Sequence, residues 1–213
     1  MTQPILIMGA TSGIGAKAVE DALSRGLLVR AFARSADGLA PREGLEPWKG
    51  DALVPEDVRG ALQGVRAVVY ALGIKERLAM LWEEETLFSQ STRVLIDAME
   101  DIGPKRLVVV TGFGAGRSRK AMSKLESIGH KAFLGRPYAD KDRQEEIILQ
   151  SELDWTIARP VILTNNAKSG KTSVLRDPST WKNGLISRAD TAAYLIDAVE
   201  QDLDIGADVV LRR

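Results

Sequence analysis

The sequence contains no cysteine and only one histidine, His130, among its 213 residues. The absence of cysteine excludes disulfides, thiolate nucleophiles and cysteine-ligated metals. A single histidine also excludes a metal site built on paired histidine ligands. We therefore expect no metal site in this chain.

Net charge and long apolar runs are also missing. Lys and Arg together number 29, and so do Asp and Glu, so no global field attracts nucleic acid or an anionic membrane. The apolar part of MTQPILIMGA lacks a basic flank and is too short for a signal peptide or a membrane span. We expect a cytoplasmic protein whose partner is a small-molecule substrate; the oligomeric state is not predicted.

Short apolar runs alternate with segments of helical periodicity, a pattern that predicts a parallel sheet in a doubly wound α/β fold. A chain of this length suits one such domain, covering residues 1–213. Gly26, Gly64 and Gly103 each follow a predicted helix and are expected to form left-handed caps. The predicted strands are residues 5–9, 27–34, 46–49, 67–73, 106–112 and 155–160, and the predicted helices are 15–25, 56–64, 87–103 and 140–151.

Two longer segments, 113–137 and 162–184, show no clear periodicity. Each follows the carboxyl end of a predicted strand, where open α/β sheets bind their ligands. We expect both to be irregular and to form the substrate side of one crevice.

The stretch GATSGIG joins the first strand to the first helix and is typical of a dinucleotide-binding loop. Gly9 permits the tight turn, Gly13 lets the backbone approach a pyrophosphate, and Gly15 lets the helix pack closely on the strand. The helix N-terminus offers N–H groups to the phosphates. The candidate cofactor contacts in this loop are Gly9, Thr11, Ser12, Gly13, Ile14 and Gly15.

The end of the second strand predicts a preference for NADP(H). Arg34 stands where an NAD-selective site would place an acidic residue, with Ser35 beside it and Arg30 on the same strand face. A guanidinium suits a 2′-phosphate, which a carboxylate would repel. Further candidate contacts follow the third and fourth strands: Asp51, Ala52, Ala71, Leu72 and Gly73. Asp51 is expected either to accept from the adenine amine or to cap the helix near residues 54–56.

Several motifs together resemble the atypical short-chain dehydrogenase/reductase superfamily: MGATSGIG, GDAL, VVYALG, RLVVVTG, LDWTIARP and LISRADTAAYLIDAVE. The most similar branch is the NAD(P)H-binding group that includes NmrA-like proteins and flavin or biliverdin reductases. The resemblance implies a Rossmann fold with helices on both faces, NADP in the crevice and a small C-terminal substrate region. It also implies that residues 161–163 lie near the nicotinamide, with Pro160, Val161 and Ile162 as cofactor contacts. Arg159 is expected to pair with a buried carboxylate or to hold the loop over the cofactor.

Active reductases of this superfamily keep a Tyr and a Lys four residues apart, and a Glu can follow the Lys by four more. Lys141 and Glu145 keep the second spacing, but Pro137 stands at the tyrosine position and Tyr138 comes one residue late. Tyr138 is therefore either a displaced proton donor or a packing residue, and Lys141 either a ribose ligand or a solvated lysine. Thr111 would orient substrate or satisfy local backbone.

The displaced tyrosine favours acceptors that need no protein proton donor. Flavins, quinones and tetrapyrroles accept hydride into a conjugated system and take their proton from water. We expect an NADPH-dependent oxidoreductase acting on such a planar acceptor. The alternatives are an NADP(H)-binding redox sensor without turnover and, less favoured because of Pro137, a sugar-nucleotide epimerase or dehydratase.

Overall fold

The computed structural model describes residues 3–73, 86–122 and 138–213. These residues form ten strands and five α-helices around a mostly parallel sheet. The strands are β1 (Ile5–Met8), β2 (Val29–Ala33), β3 (Leu45–Lys49), β4 (Ala67–Tyr70), β5 (Arg106–Val110), β6 (Asp154–Pro160), β7 (Ile162–Thr164), β8 (Ser173–Leu175), β9 (Leu185–Ser187) and β10 (Ala207–Arg212). The helices are α1 (Gly13–Ser24), α2 (Pro55–Leu62), α3 (Leu87–Ile102), α4 (138–149) and α5 (Arg188–Glu200).

The main sheet has eight strands within the described residues, in the order β3-β2-β1-β4-β5-β6-β10-β8. All neighbours are parallel except β8, which runs antiparallel to β10. The order reverses between β1 and β4, and the carboxyl ends of these strands bound the crevice where such sheets bind ligands. The predicted doubly wound α/β fold is confirmed.

Both faces of the sheet are covered, which explains the continuous apolar strands. In β1, Ile5 and Ile7 pack into one core with residues of α1 and α5, and Leu6 and Met8 pack into another with residues of α2 and α3. All four side chains have no exposed surface. Alternate residues thus face opposite cores, as parallel strands buried on both sides require.

The C-terminal third of the chain is more regular than predicted. The segment 162–184 is not an irregular loop: it contains β7, β8 and a 3-10 turn, and β7 pairs with β9 in a separate two-stranded ribbon. Strands this short carry too few residues for a periodic signal. Of the segment 113–137, residues 113–122 include a 3-10 helix at Gly116–Ala121, and the remainder lies outside the described residues.

Two of the three predicted helix caps are left-handed and one is not. Gly26 has φ of +74° and Gly64 has φ of +70°, whereas Gly103 has φ of −95°. The prediction for Gly103 is wrong because the glycine is needed there for close packing against Met99, not for a left-handed conformation. A Cβ on Gly103 would lie 2.7 Å from the Cα of Met99. Among the helices described, none is both long and apolar enough to span a membrane.

Candidate cofactor and substrate site

The glycine loop after β1 has a separate structural reason for each glycine. Gly9 has φ of +82°, and a Cβ there would lie 2.6 Å from the carbonyl oxygen of Ala71 at the end of β4. A Cβ on Gly15 would collide with the carbonyl oxygen of Gly9. Gly13 has φ of +58° with nothing within 4 Å of an added Cβ, so its backbone is open to an approaching ligand.

No side chain at the start of α1 caps its N-terminus. Ser12 is the N-cap, but its side chain makes no capping hydrogen bond, and the first turn has no acidic residue. The first N–H groups and the positive end of the helix dipole therefore have no acidic partner within the first turn of α1. This arrangement fits a dinucleotide pyrophosphate. The Ser35 and Thr11 hydroxyls are 3.1 Å apart and join the loop to the end of β2.

Arg30 in β2 and Arg34, directly after this strand, have different environments. Arg34 is exposed and, within the described residues, has no hydrogen bond or ion pair. Arg30 is buried and donates to the Glu46 carboxylate at 2.8 Å and to the carbonyls of Ala61 and Gln63. The guanidinium of Arg30 is therefore engaged at the sheet edge, and only Arg34 is available to a phosphate beside β2.

The predicted cofactor contacts after β3 and β4 follow the carboxyl ends of these two strands. One carboxylate oxygen of Asp51 accepts from the N–H of Leu53 at 3.0 Å, which closes a turn before α2. The N-cap of α2 is Val54, with no side-chain cap, so the expected capping of this helix by Asp51 is wrong. Ala52 and Ala71 are buried, Leu72 is half-buried and Gly73 is exposed.

Lys141 on α4 contacts the carboxyl end of β5. Its ammonium donates to the carbonyl of Thr111 at 3.0 Å and lies 4.1 Å from the centre of the Phe88 ring. Burial lowers the pKa of Lys141 to about 8, against the opposing effect of Glu145 and Asp140. Lys141 is therefore not a fully solvated lysine.

Thr111 itself faces the protein interior. Its side chain is buried, and its hydroxyl donates to the carboxylate of Glu145 at 2.7 Å. The Thr111 hydroxyl thus binds another side chain. It does not satisfy the local backbone, which was the second role that the sequence suggested.

Tyr138 packs against the residue next to Thr111. A Cβ added to Gly112 would lie 2.7 Å from the Tyr138 hydroxyl oxygen, so the ring occupies space that a side chain at 112 would fill. Burial raises the pKa of Tyr138 to about 12. Pro137 lies outside the described residues. Tyr138 and Lys141 therefore reach adjacent residues at the end of β5, although their spacing departs from the usual pair.

A buried ionic network holds α4 against the sheet. The guanidinium of Arg159, at the end of β6, donates to both oxygens of Glu145 at 2.6 and 3.0 Å and also to Asp208 on β10. Arg159 is 1% exposed and Glu145 is 2% exposed. Arg117 adds a second partner for Asp208. The predicted pairing of Arg159 with a buried carboxylate is confirmed.

Asp208 is the member of this network that the sequence analysis missed. Its only signal is an acidic residue directly before the apolar run VVL in the strand ADVVLR. Burial alone would raise its pKa, but Arg117 and Arg159 outweigh that effect and hold the pKa below the usual value. The carboxylate is therefore charged and fully paired at neutral pH.

The last cofactor candidates lie where β6 is followed by β7. Pro160 and Val161 are buried, with Val161 packed in the core, and Ile162 is 57% exposed. Of these three side chains, that of Ile162 is therefore the one able to contact a ligand, while the others can contribute backbone.

The sheet order and the glycine loop define a dinucleotide-binding protein of the Rossmann type. Residues 9–202 match the NAD(P)H-binding family, and the chain belongs to that family. Among solved structures it is similar to ChuY of Escherichia coli O157:H7, described as an anaerobillin reductase, with 26% identity and a TM-score of 0.80 over 98% of this chain and 96% of ChuY. The resemblance to the branch that includes such reductases is confirmed.

Other relatives support the fold. A short-chain dehydrogenase/reductase of Veillonella parvula in complex with NADP is 16% identical, with a TM-score of 0.83 over 100% of this chain and 95% of that one. The uncharacterised chloroplastic protein At2g34460 of Arabidopsis thaliana is 24% identical over 94% of this chain and 73% of its own length. The chain spans 42% and 51% of two longer curated relatives. Because the Arabidopsis thaliana relative is described as chloroplastic, the cytoplasmic location of the present protein stays a prediction.

Replacing Gly15 with Ala should weaken both folding and cofactor binding. The new methyl group would collide with the carbonyl oxygen of Gly9, so the loop must shift. Gly13→Ala is the matched control for stability, because its methyl group meets open space and costs only about 1 kcal/mol of backbone strain. Urea unfolding and NADPH fluorescence titration would check this. A Gly15→Ala protein as stable as Gly13→Ala would contradict the packing argument.

Removing Arg159 should destabilise the protein more than removing Asp208. Arg159→Met leaves two carboxylates buried without their shared partner, and breaking a buried pair costs about 3–5 kcal/mol. Asp208→Asn keeps the shape and should cost less. Because the pKa of Asp208 is lowered in the folded state, its contribution is present above about pH 4 and is lost as pH falls further. Unfolding midpoints of wild type and Asp208→Asn should be measured from pH 3 to pH 7. The difference between the two proteins should shrink as the pH falls; a difference that stays constant would be inconsistent with this linkage.

Proposed function

We propose that this protein is an NADPH-dependent oxidoreductase that reduces a small planar conjugated acceptor such as a flavin, a quinone or a tetrapyrrole. The observation that carries the proposal is the state of Tyr138. Its hydroxyl packs against Gly112 and burial raises its pKa to about 12, so it is a poor proton donor near neutral pH. The family membership supports a nicotinamide cofactor, and the similarity to ChuY supports a conjugated acceptor.

The preference for NADP(H) over NAD(H) is supported by Arg34. This guanidinium stands at the carboxyl end of β2, exposed and unpaired within the described part of the chain. A 2′-phosphate would supply the anion that it lacks, and Arg binds phosphate through paired N–H groups. The residue after β2 is thus basic, whereas an NAD-selective site would carry an acidic side chain there.

The chain's own residues bind, orient and enclose the reactants. A bound nicotinamide supplies the hydride. The N-terminus of α1 would hold the pyrophosphate and Arg34 the 2′-phosphate, while Lys141 would place a cation near the ribose. Residues from 113–137 and 162–184 would hold the acceptor. A conjugated acceptor takes up two electrons with the hydride, and its remaining proton comes from water, so Tyr138 has no required step.

Arg34→Ala should weaken NADPH binding by about 10–100-fold and leave NADH nearly unchanged, because only NADPH carries the 2′-phosphate. Dissociation constants for both cofactors, measured by fluorescence titration, would check this. Arg42→Ala is the matched control, since Arg42 is exposed and lies before the amino end of β3, whereas Arg34 follows the carboxyl end of the neighbouring β2. Equal losses for the two cofactors in Arg34→Ala would refute the assignment.

Tyr138→Phe should leave reduction of a quinone or flavin close to the wild-type rate, because the hydroxyl has no required proton transfer in this scheme. The kcat and its pH profile, followed by NADPH absorbance, would check the expectation. A fall of about a hundredfold or more, the scale of a lost general acid, would restore Tyr138 as proton donor and favour a carbonyl substrate.

The test of the function itself is NADPH oxidation against flavins, quinones, biliverdin and simple aldehydes, with NADH in parallel. Turnover on the planar acceptors alone is the expected result. Tight NADPH binding without oxidation by any acceptor would instead favour a redox sensor. Turnover on aldehydes at comparable rates would contradict the proposed acceptor class.

A further inference from the structure

The turn after β2 places a carboxylate close to the proposed ligand of the 2′-phosphate. Asp37 comes three residues after Arg34 and is the only acid in the stretch RSADGLAPR. It lies in a 3-10 turn, 36–38, in which the amide of Gly38 donates to the carbonyl of Ser35 at 3.1 Å. The Cα atoms of Arg34 and Asp37 are at most about 10 Å apart, the span of three extended residues. Both side chains are exposed, and at this separation a guanidinium and a carboxylate are able to pair.

Arg34 and Asp37 nevertheless do not pair with each other. Within the described residues Arg34 has no hydrogen bond or ion pair, whereas Asp37 accepts from the ammonium of Lys49 at 2.8 Å. The hydrogen bond from Lys49 holds the pKa of Asp37 below its usual value, so this carboxylate is charged at neutral pH. A cation from another strand therefore occupies the carboxylate that Arg34 could otherwise bind.

The register of β2 and β3 brings Lys49 to this turn. Lys49 is the last residue of β3 and pairs with Ala33, the residue before Arg34. The amide of Gly50 donates to the carbonyl of Ala33 at 3.3 Å, so the two chains leave the sheet side by side. The ammonium thus reaches the turn after β2 from the neighbouring strand.

The pair of Lys49 and Asp37 contributes little to folding but acts on charges that bind nearby. The Lys49 side chain is 65% exposed and that of Asp37 is 60% exposed, and ion pairs with this exposure stabilise a fold only marginally. A phosphate monoester carries about two negative charges near neutral pH. An unpaired carboxylate in the same turn would repel it, and a carboxylate bound to Arg34 would have to be displaced by it. The bond to Lys49 removes both obstacles.

We propose that Lys49 is a positioning residue for cofactor choice. It holds Asp37 away from Arg34 and so leaves the Arg34 guanidinium free for the 2′-phosphate of NADP(H). The inference rests on the proposed preference for NADP(H) and deepens it, because it adds a residue of β3 that acts without touching the cofactor. It does not depend on the acceptor or on hydride transfer.

Ligands that differ only in the 2′-phosphate provide the test. The nucleotides 2′,5′-ADP and 5′-AMP differ by this group and carry no nicotinamide, and NADPH and NADH form a second pair. Dissociation constants are measured by calorimetry and fluorescence titration in about 10 mM salt, where the Debye length is about 30 Å and exposed charges act at full strength. We expect the wild-type protein to bind the member with the 2′-phosphate more tightly in each pair.

Lys49→Met should weaken the binding of 2′,5′-ADP and NADPH by about threefold to tenfold and leave 5′-AMP and NADH nearly unchanged, because the released Asp37 opposes only the 2′-phosphate. Adding Asp37→Asn to Lys49→Met should restore the wild-type affinity, since no carboxylate then competes for Arg34. Lys49→Arg keeps the charge and should retain that affinity. A structural role of the pair alone would give no such rescue, because the double variant lacks the same hydrogen bond.

An exposed ion pair at the other end of the sheet provides the matched control. Arg59 and Asp101 are 2.6 Å apart and are exposed to a similar degree. They lie in the last turns of α2 and α3, whose chains lead into the amino ends of β4 and β5. Arg59→Met and Asp101→Asn remove the same charges there and should leave all four dissociation constants unchanged.

The outcomes separate this inference from the proposed preference for NADP(H). A weakening in Lys49→Met that Asp37→Asn reverses would support the inference, even in a protein that passes hydride to none of the acceptors. Equal wild-type affinities for 2′,5′-ADP and 5′-AMP would overturn the preference and the inference with it. A preference that Arg34→Ala reduces and Lys49→Met leaves unchanged would overturn the inference alone.

Two further results would also overturn it. One is a weakening in Lys49→Met that Asp37→Asn does not reverse, which would mean that Lys49 binds the phosphate directly. The other comes from Asp37→Asn by itself, which tests the inference if Lys49→Met fails to fold. This variant should bind 2′,5′-ADP at least as tightly as wild type, and weaker binding would contradict the role given to Asp37.

Discussion

The buried pairing of Arg159 with Glu145 is the interaction on which the placement of α4 against the sheet depends. Arg159 ends β6, Glu145 lies in the middle of α4, and Asp208 adds β10 to the same network. Two charges with so little exposure are stable only when their hydrogen bonds are made in full, and here both carboxylate oxygens of Glu145 are bonded. The position of α4 along the sheet is therefore fixed, and with it the positions of Lys141 and Tyr138.

Much of the fold was predictable because its signals are local. Apolar runs of strand length, helical periodicity and GATSGIG gave β1 to β6 and α1 to α4 within a few residues. The ribbon of β7 and β9 was not predictable, because three-residue strands have no periodicity and depend on pairing with distant residues. The prediction of a left-handed cap at Gly103 was wrong for a related reason. Its glycine is needed by the close approach of Met99, and a sequence shows only that a glycine is present.

The candidate site likewise has a part that local sequence signals predict and a part that depends on residues distant in the chain. The shape of the glycine loop was predictable where a glycine acts within a short stretch of chain, as Gly15 does against Gly9, whereas the close approach of Gly9 to Ala71 depends on the end of β4. The partners of Thr111 and Arg159 come from α4 and β10, and the one visible signal for Asp208 was an acid directly before an apolar run.

The contact between Tyr138 and Gly112, two residues after β5, means that the place of this tyrosine depends on a glycine outside its own helix. Gly112 leaves a gap that the ring fills, and that gap is the size of one methyl group. Any side chain at 112 would require the Tyr138 ring to move. One substitution in the loop after β5 is thus enough to change where the only tyrosine near Lys141 in this part of the chain places its hydroxyl.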